Sequence, residues 1–326
     1  MTDKPLVQVE NLNVEFALGR TWFGKPPILR AVNDVSLDIM PGQFFGLVGE
    51  SGSGKTTLGR AILRAVPISS GKITFDDAEV CYDVGSLLKK DLKNYRKLAQ
   101  LIFQDPYAAL SPRMTVRDII AEPLEVMGLT QTREETDKRV RDIAAKCRLN
   151  LEHLRRFPHA FSGGQRQRIS IARTLVCNPD FVVADESVAA LDVSIQADIL
   201  NLLQSLQDEM GLTFLFISHD LSVVAHICDH VAVMYLGSLV ESAPTRKLFA
   251  NPSHPYTKAL LSAIPSLDPD DSGKAQKLEG EIPSPVNPPP GCKFHTRCPV
   301  AEDRCRTEVP EWRELSDGHS VACHFA

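Results

Sequence analysis

The chain has 326 residues, 43% of them hydrophobic and 24% charged, with a formal net charge of −5 at pH 7. This composition is typical of a globular protein, the length predicts two domains, and the negative balance argues against a nucleic-acid partner. No run of eighteen apolar residues is present to span a membrane, and the N-terminus lacks the charged-then-apolar form of a secretory signal, so we expect a cytoplasmic protein.

The first quarter of the chain predicts strands that lead into a glycine-rich loop. Residues 6–16 and 28–39 alternate apolar and polar side chains, as amphipathic strands do. The apolar run at residues 44–48 is too short for a buried helix and predicts a central strand. A helix is expected at about residues 55–65, and residues 72–75 predict a further short edge strand.

The loop at residues 49–56, GESGSGKT, fits the phosphate-binding pattern G-x-x-x-x-G-K-[ST] at every fixed position. Glycines let backbone N–H groups surround phosphate oxygens, and the helix N-terminus adds partial positive charge. Lys55 is expected to reach the β- and γ-phosphates and the Thr56 hydroxyl to ligate Mg²⁺. The predicted nucleotide contacts in this stretch are Gly49, Ser51, Gly52, Ser53, Gly54, Lys55, Thr56 and Thr57.

The section at about residues 105–177 is predicted as a helical subdomain inserted between the phosphate loop and the next buried strand. An amphipathic stretch at residues 95–103 precedes it and ends in LIFQDP. Helices are expected at residues 114–127, 134–146 and 165–177, with Thr115 and Thr132 as N-caps of the first two.

The following section alternates buried strands with a helix, which predicts an α/β fold with a largely parallel core sheet. Residues 181–185 and 213–217 are the strands, and Ser194 is expected to cap the helix between them. The first strand ends in Asp185 and Glu186. An aspartate there can hold Mg²⁺, and the next carboxylate can take a proton from the water that attacks the γ-phosphate. An acidic pair on a surface loop is the alternative.

The segment FSGGQ at residues 161–165 is a second candidate anion-binding device. A serine, two glycines and a helix N-terminus can bind phosphate, although a helix cap with a glycine hinge explains the same residues. One nucleotide needs only one phosphate loop. Two chains arranged head-to-tail would use both devices, each chain supplying its second device to the nucleotide of the other.

Six motifs, in order and spacing, resemble the ATP-binding subunits of ABC transporters over residues 5–245. They are the phosphate loop, LIFQDP, FSGGQRQR, FVVADE, AALD and ISHD. The resemblance implies an ATPase with a P-loop NTPase core, an antiparallel β subdomain and the inserted helical subdomain, all within residues 1–250. Two positions depart from the family pattern: Ser187 stands where proline is usual, and Ala189 and Ala190 stand where the family has S-A. The alanine at 189 is expected to weaken a hydrogen bond between subunits.

The resemblance also implies individual roles. Phe16 would stack on adenine, Asp192 would lie at the interface of an ATPase dimer, and the signature motif would hold the γ-phosphate of the opposite subunit. The signature residues are Ser162, Gly163, Gly164 and Gln165. The catalytic group would be Lys55, Gln104, Glu186 and the γ-phosphate contact His219, and Mg²⁺ would be held by Thr56, Gln104 and Asp185. Each has a plainer alternative: Phe16 could be core, Gln104 a polar loop residue and His219 a helix cap.

The C-terminal section, residues 251–326, resembles the extension of dipeptide/oligopeptide-type importer ATPases. Residues 251–257 read NPSHPYT, and GEIPSPVNPPPGCKFHTRC follows later. Prolines throughout residues 263–291 predict an extended linker or wrapping arm. The subfamily implies peptide import, with nickel, opines or oligosaccharides as alternatives.

Four cysteines in this section are spaced C-x₅-C-x₆-C-x₁₇-C, at Cys292, Cys298, Cys305 and Cys323. Paired C-x₂-C knuckles of a zinc site are absent, and four thiolates on irregular loops suit a [4Fe–4S] cluster, as the resemblance also implies. A zinc site that includes His295 or His324 is the alternative, and unligated thiols are a third possibility.

The resemblance implies partners as well. We expect a peripheral protein on the cytoplasmic face of the plasma membrane, with two transmembrane permeases, a paralogous or identical second ATPase subunit and an extracytoplasmic solute-binding protein. A soluble ABC ATPase of translation, DNA repair or cluster assembly is the rival reading. Such proteins carry two cassettes, coiled-coil insertions or basic surfaces, which this sequence lacks.

Overall fold

The computed structural model of the protein describes most of the chain. The described residues are 4–19, 26–77, 79–264, 280–316 and 318–326. Residues 265–279, which make up half of the predicted proline-rich linker, lie outside them. The strands are β1 (Val7–Ala17), β2 (Ile28–Ile39), β3 (Phe44–Val48), β4 (Ser70–Asp76), β5 (Cys81–Asp83), β6 (Ala99–Ile102), β7 (Phe181–Asp185), β8 (Thr213–Ile217), β9 (His230–Tyr235), β10 (Ser238–Pro244), β11 (Arg313–Ser316) and β12 (His319–Val321). The helices are α1 (Lys55–Ile62), α2 (Lys89–Leu98), α3 (Pro106–Ala109), α4 (Val116–Met127), α5 (Arg133–Lys146), α6 (Gly163–Leu175), α7 (Val193–Met210), α8 (Leu221–Ile227), α9 (Thr245–Ala250), α10 (Pro255–Ser262) and α11 (Asp303–Thr307).

The main sheet has β3, the strand before the phosphate loop, near its centre. Its order among the described residues is β11-β12-β10-β9-β3-β8-β7-β6. The strands β9, β3, β8, β7 and β6 run parallel, and every residue of β3, β7 and β8 is buried. The predicted parallel α/β core is therefore confirmed. Because parallel strands end at one edge, the residues after β3, β7 and β8 lie side by side.

The second sheet is antiparallel, in the order β2-β1-β4-β5. It forms the predicted antiparallel β subdomain, and its apolar face packs on α1 and on one side of the main sheet. The strand at residues 72–75 was expected at an edge, which is wrong: β4 (Ser70–Asp76) is flanked by β1 and by the three-residue strand Cys81–Asp83. So short a strand carries no periodic signal that a sequence could reveal.

The helical section follows the main-sheet strand β6. Thr115 and Thr132 cap α4 and α5, their hydroxyls accepting the N–H groups of residues 118 and 135. The predicted cap of α7 is wrong: this helix begins at Val193, one residue before the expected cap Ser194, and Asp192 occupies the N-cap position without a side-chain cap bond.

The C-terminal section contributes two strands to the main sheet. The strand β12 pairs with β10, and β11 pairs with β12, so these strands extend the sheet beyond its parallel part. Tyr256 and Phe294 are fully buried in the larger hydrophobic core. No helix within the described ranges combines the length and the apolar composition that a membrane crossing requires.

Candidate ATP-binding site

The phosphate loop joins β3 to α1, and its backbone requires glycine at two positions. Gly49 has φ +148° and a Cβ there would lie 2.2 Å from the carbonyl oxygen of Met234. Gly54 has φ +106°, and its Cβ would lie 2.1 Å from the carbonyl oxygen of Ala31. The loop thus lies directly against neighbouring backbone at these two positions, where any side chain larger than that of glycine would collide with a carbonyl oxygen.

Lys55 begins α1 and turns back into the loop. Its Nζ donates to the carbonyl oxygens of Gly49 at 2.7 Å and Glu50 at 2.9 Å. Burial lowers the pKa of Lys55, and the nearby carboxylates of Glu186, Asp185 and Glu50 oppose that shift. The ammonium group therefore closes the loop through two of its own backbone carbonyls.

Thr56, in the first turn of α1, meets Asp185 at the carboxyl end of β7. The Thr56 hydroxyl donates to Asp185 Oδ1 at 2.8 Å. Burial raises the pKa of the Asp185 carboxyl, and the hydrogen bond from Thr56 counteracts that rise. A hydroxyl and a carboxylate so arranged are the hard oxygen ligands that Mg²⁺ prefers.

Glu186 gathers two of the predicted catalytic side chains around its carboxylate. Gln104 Nε2 donates to Glu186 Oε2 at 2.7 Å, and His219 Nδ1 lies 3.4 Å from Glu186 Oε1. Glu186 itself has a positive φ of 47°, an uncommon conformation for a residue other than glycine. Such backbone strain is found at sites where the direction of a side chain matters.

The predicted signature residues form a helix N-terminus elsewhere on the molecule. Ser162 and Gln165 make a capping box at the start of α6, each side chain bonded to the backbone N–H of the other. Gly164 lies against Ile195 of α7, where a Cβ would approach the side chain to 2.5 Å. The phosphate loop, by contrast, packs on residues 31 and 234, so the two devices have different surroundings.

Phe16 and Asp192 have less specific surroundings. Phe16 lies in β1, half-buried, and packs against the core between the two sheets. Asp192 is exposed before α7, next to Val193, which is 83% exposed. Neither side chain contacts another of the predicted site residues in the hydrogen bonds and ion pairs of the described residues.

Sequence reasoning missed two contacts of the loop with the C-terminal section. The hydroxyl of Tyr256 accepts the backbone N–H of Glu50, and Arg297 forms an ion pair with the carboxylate of Glu50. The phosphate-loop pattern leaves position 50 open. No local signal could have pointed to partners more than 200 residues away.

The four C-terminal cysteines lie near one another and are all free thiols. The N–H of Cys292 donates to the carbonyl of Cys305 at 2.8 Å. Burial raises the pKa of the Cys292 thiol to about 11, a backbone hydrogen bond from Phe294 opposes this, and the other three thiols raise it further. The cysteines are therefore within electrostatic reach of one another.

The geometry of this cysteine group does not match a single metal ion. Within the described ranges, no three Cys, His, Asp or Glu side chains converge closely enough to hold one. The two candidate histidines bond to backbone instead: His295 Nδ1 lies 2.9 Å from the Cys292 carbonyl, and His324 Nε2 lies 3.1 Å from the Glu308 carbonyl. One ring nitrogen of each histidine thus bonds to a backbone carbonyl and not to a thiol.

Comparison with known proteins agrees with this geometry. Residues 32–189 match the ABC transporter family, and residues 240–305 match the oligopeptide/dipeptide transporter C-terminal region. A Brucella ovis relative whose name assigns it to peptide import ATP-binding proteins is 51% identical over 323 residues, 99% of this chain and 98% of the relative. The oligopeptide transport ATP-binding protein AppF of Bacillus subtilis is 49% identical over 300 residues, 91% of this chain and 90% of AppF.

Among solved structures, a similar one is the ATP-binding cassette MJ0796, seen as a dimer in a post-hydrolysis state with ADP and phosphate. It has a TM-score of 0.64 and 27% sequence identity, covering 74% of this chain and 99% of MJ0796. The chain is therefore an ATPase that belongs to the ATP-binding subunits of ABC transporters, in the oligopeptide/dipeptide importer group that carries this C-terminal region.

Proposed function

We propose that the chain hydrolyses ATP to power the import of peptides through an ABC transporter. The observation that carries the proposal is the meeting of Gln104 and His219 on Glu186, beside the Thr56–Asp185 pair. These residues come from four separate motifs and converge at the carboxyl edge of the sheet. The names of the full-length relatives support peptides as the solute.

The reaction assigned to this site follows from the residues present. Lys55 would leave the carbonyls that it now contacts and bind the β- and γ-phosphates. Glu186 would accept a proton from the attacking water, while Gln104 and His219 orient its carboxylate. Thr56, Asp185 and the amide oxygen of Gln104 fit Mg²⁺, which would offset phosphate charge when bound.

A second ATPase subunit would complete each site. The signature residues at the start of α6 pack on α7 and not on the phosphate loop of their own chain. The backbone N–H groups of Gly163 and Gly164 would meet the γ-phosphate held by a partner subunit, paralogous or identical, with the exposed Asp192 at the interface. The dimeric structure of MJ0796 supports this arrangement. Phe16 would stack on adenine with its exposed part.

The membrane partners are proposed from the relatives. Two permease subunits would bind the ATPase dimer at the cytoplasmic face of the membrane, and a solute-binding protein would deliver the peptide from outside. Affinity purification from detergent-solubilised membranes should recover two permeases with a second ATPase subunit. Recovery with ribosomes or DNA in their place would contradict the importer assignment.

The catalytic role of Glu186 is tested by Glu186→Gln. This variant should bind ATP like the unaltered protein, and its hydrolysis rate should fall about 100-fold or more, since a general base contributes that much. Glu134→Gln, which alters an exposed glutamate in the first turn of α5, is the control. Turnover of Glu186→Gln within a few-fold of the control would remove Glu186 as the base.

The proposed domains are a nucleotide-binding domain at residues 1–250, with the helical subdomain at about 105–177, and the extension at residues 251–326.

Within the extension, the four cysteines would ligate a [4Fe–4S] cluster. The backbone hydrogen bond from the Cys292 N–H to the Cys305 carbonyl brings two of these cysteines together and supports a shared ligand. Four cysteines spaced C-x₅-C-x₆-C-x₁₇-C, without the paired C-x₂-C knuckles of a zinc site, favour the cluster over the zinc alternative.

Metal analysis separates these alternatives. Protein purified without oxygen should be brown and contain iron and sulfide, and Cys305→Ser should lose both. Cys81→Ser, at an exposed cysteine outside the extension, should keep them. Colourless protein with stoichiometric zinc would contradict the cluster, and metal-free protein would leave the thiols unligated.

A further inference from the structure

Glu50, the second residue of the phosphate loop, is held by the C-terminal section at two points. Arg297 donates two hydrogen bonds to its carboxylate, at 2.7 Å and 2.9 Å. The hydroxyl of Tyr256 accepts its backbone N–H at 2.9 Å. The Arg297 side chain is only 6% exposed, and the Glu50 side chain is 25% exposed. The two-pronged geometry is the strongest form of an arginine–carboxylate pair.

The groups that hold Glu50 are themselves fixed by packing. The ring of Phe294 contacts the rings of Tyr256 and Tyr235, in each case with centroids 5.3 Å apart. The neighbouring Lys293 donates to the carbonyl of Leu236 at 3.0 Å and to the hydroxyl of Ser238 at 2.7 Å. This stretch of the extension is therefore bonded to the turn between β9 and β10, and these contacts hold the backbone from which Arg297 extends to the phosphate loop.

The Glu50 carboxylate lies close enough to the phosphate-binding machinery to affect it electrostatically. It is one of the negative charges that favour the protonated form of Lys55. The carbonyl oxygen of Glu50 also accepts hydrogen bonds from Lys55 Nζ and from the N–H of Ser53. An unpaired carboxylate at this position would repel a triphosphate. It would also be free to form other contacts that change the conformation of the loop.

We propose that Arg297 is a positioning residue of the nucleotide site, which cancels the charge of Glu50 and fixes the shape of the loop. The inference rests on the proposed role of the loop in ATP binding. It assigns to the extension a direct part in nucleotide affinity, carried by one side chain that lies between two of its cysteines in the sequence. Arg297 touches neither the nucleotide nor a reacting atom and acts through Glu50.

The test measures the binding of MgATP and MgADP to the full-length protein by calorimetric titration. Arg297→Met should weaken ATP binding about tenfold, equivalent to about 1.4 kcal/mol, and ADP binding less, because ADP carries less charge. Glu50→Gln should bind ATP at least as tightly as the unaltered protein, since it leaves an extra positive charge near the site. The double variant Glu50→Gln/Arg297→Met should return to within about threefold of the unaltered affinity.

A purely structural role for Arg297 predicts a different pattern. Loss of packing would weaken ATP and ADP equally, and adding Glu50→Gln would not restore binding. That pattern would overturn the proposal, as would unchanged ATP affinity in Arg297→Met or a clear loss of affinity in Glu50→Gln alone. Arg304→Gln, which breaks an exposed ion pair with Glu308 in the same extension, is the control and should bind both nucleotides normally.

Failure of the inference can be distinguished from failure of the proposed site. Lys55→Ala should abolish detectable ATP binding, because Lys55 is the positively charged side chain of the loop at residues 49–56. If Lys55→Ala has no effect, the loop is not the ATP site and both proposals fall. If Lys55→Ala abolishes binding while Arg297→Met has no effect, the ATP site stands and only the role of Arg297 is refuted.

Discussion

Gly164 in the predicted signature lies against a neighbouring helix, and an added methyl group there has a calculable effect. A Cβ at Gly164 would lie 2.5 Å from Cγ2 of Ile195, about 1 Å closer than ordinary carbon contacts allow. Ile195 is β-branched and lies in a helix, so its rotamer is nearly fixed and it cannot easily turn away. Overpacking of this kind costs about 1–3 kcal/mol. Replacing glycine by alanine within a helix returns about 1 kcal/mol.

We therefore expect Gly164→Ala to lower the free energy of unfolding by up to about 2 kcal/mol. Gly163→Ala is the matched control, because a Cβ at Gly163 would be 3.8 Å from the nearest side chain, that of Leu191. Urea denaturation of the nucleotide-free protein measures both. Ile195→Ala removes the opposing methyl and should relieve the cost of Gly164→Ala when the two are combined. Equal stability of the two glycine variants, or no relief by Ile195→Ala, would refute the reasoning.

Three further predictions are measured by urea denaturation. Asp185→Asn should stabilise the nucleotide-free protein at pH 7.5, because burial raises the pKa of the Asp185 carboxyl from 3.8. The contribution of this carboxyl to the free energy of unfolding is therefore favourable at low pH and is lost as pH rises through the raised pKa. Equal stability at pH 7.5 would contradict this. His254→Asn should make the free energy of unfolding depend less on pH in acid. Burial lowers the pKa of His254 from 6.5 to about 3, so the stability present above pH 6.5 falls by about 1.4 kcal/mol per pH unit below it. Asparagine keeps a hydrogen-bond acceptor for the Tyr256 N–H. Parallel pH curves would argue against this. Thr115→Ala should cost about 1 kcal/mol, because the Thr115 hydroxyl caps α4 at the Asp118 N–H, and an unchanged midpoint would show that this cap contributes nothing.

The elements that could be predicted are those whose signal is local. Buried five-residue strands such as Phe44–Val48 appear as apolar runs, and Thr115 and Thr132 mark their helices because a cap acts within three residues. The cap at Ser194 was predicted wrongly because serine is a favoured N-cap in general, whereas the backbone here turns into the helix two residues earlier, at Asp192.

The contacts of the site also differ in whether a local sequence signal predicts them. Thr56 meets Asp185, and Gln104 meets Glu186, because the segments that follow β3, β6 and β7 leave the same edge of the sheet, and fixed motifs mark these segments in the sequence. The ion pair between Arg297 and the Glu50 carboxylate joins residues 247 positions apart, and no motif requires either residue type at its position. Only the tertiary packing of the extension brings these two side chains together.

The pairing of β12 with β10 has a consequence for attempts to shorten or exchange the extension. Without residues after about 250, β10 would present unpaired backbone N–H and C=O groups along an exposed edge, a common starting point for aggregation. Truncated protein is therefore expected to self-associate. A hybrid of two relatives would need its extension to match both the β10 edge and the residue at position 50. The extension and the nucleotide-binding domain therefore have to be taken from the same relative when such a hybrid is made.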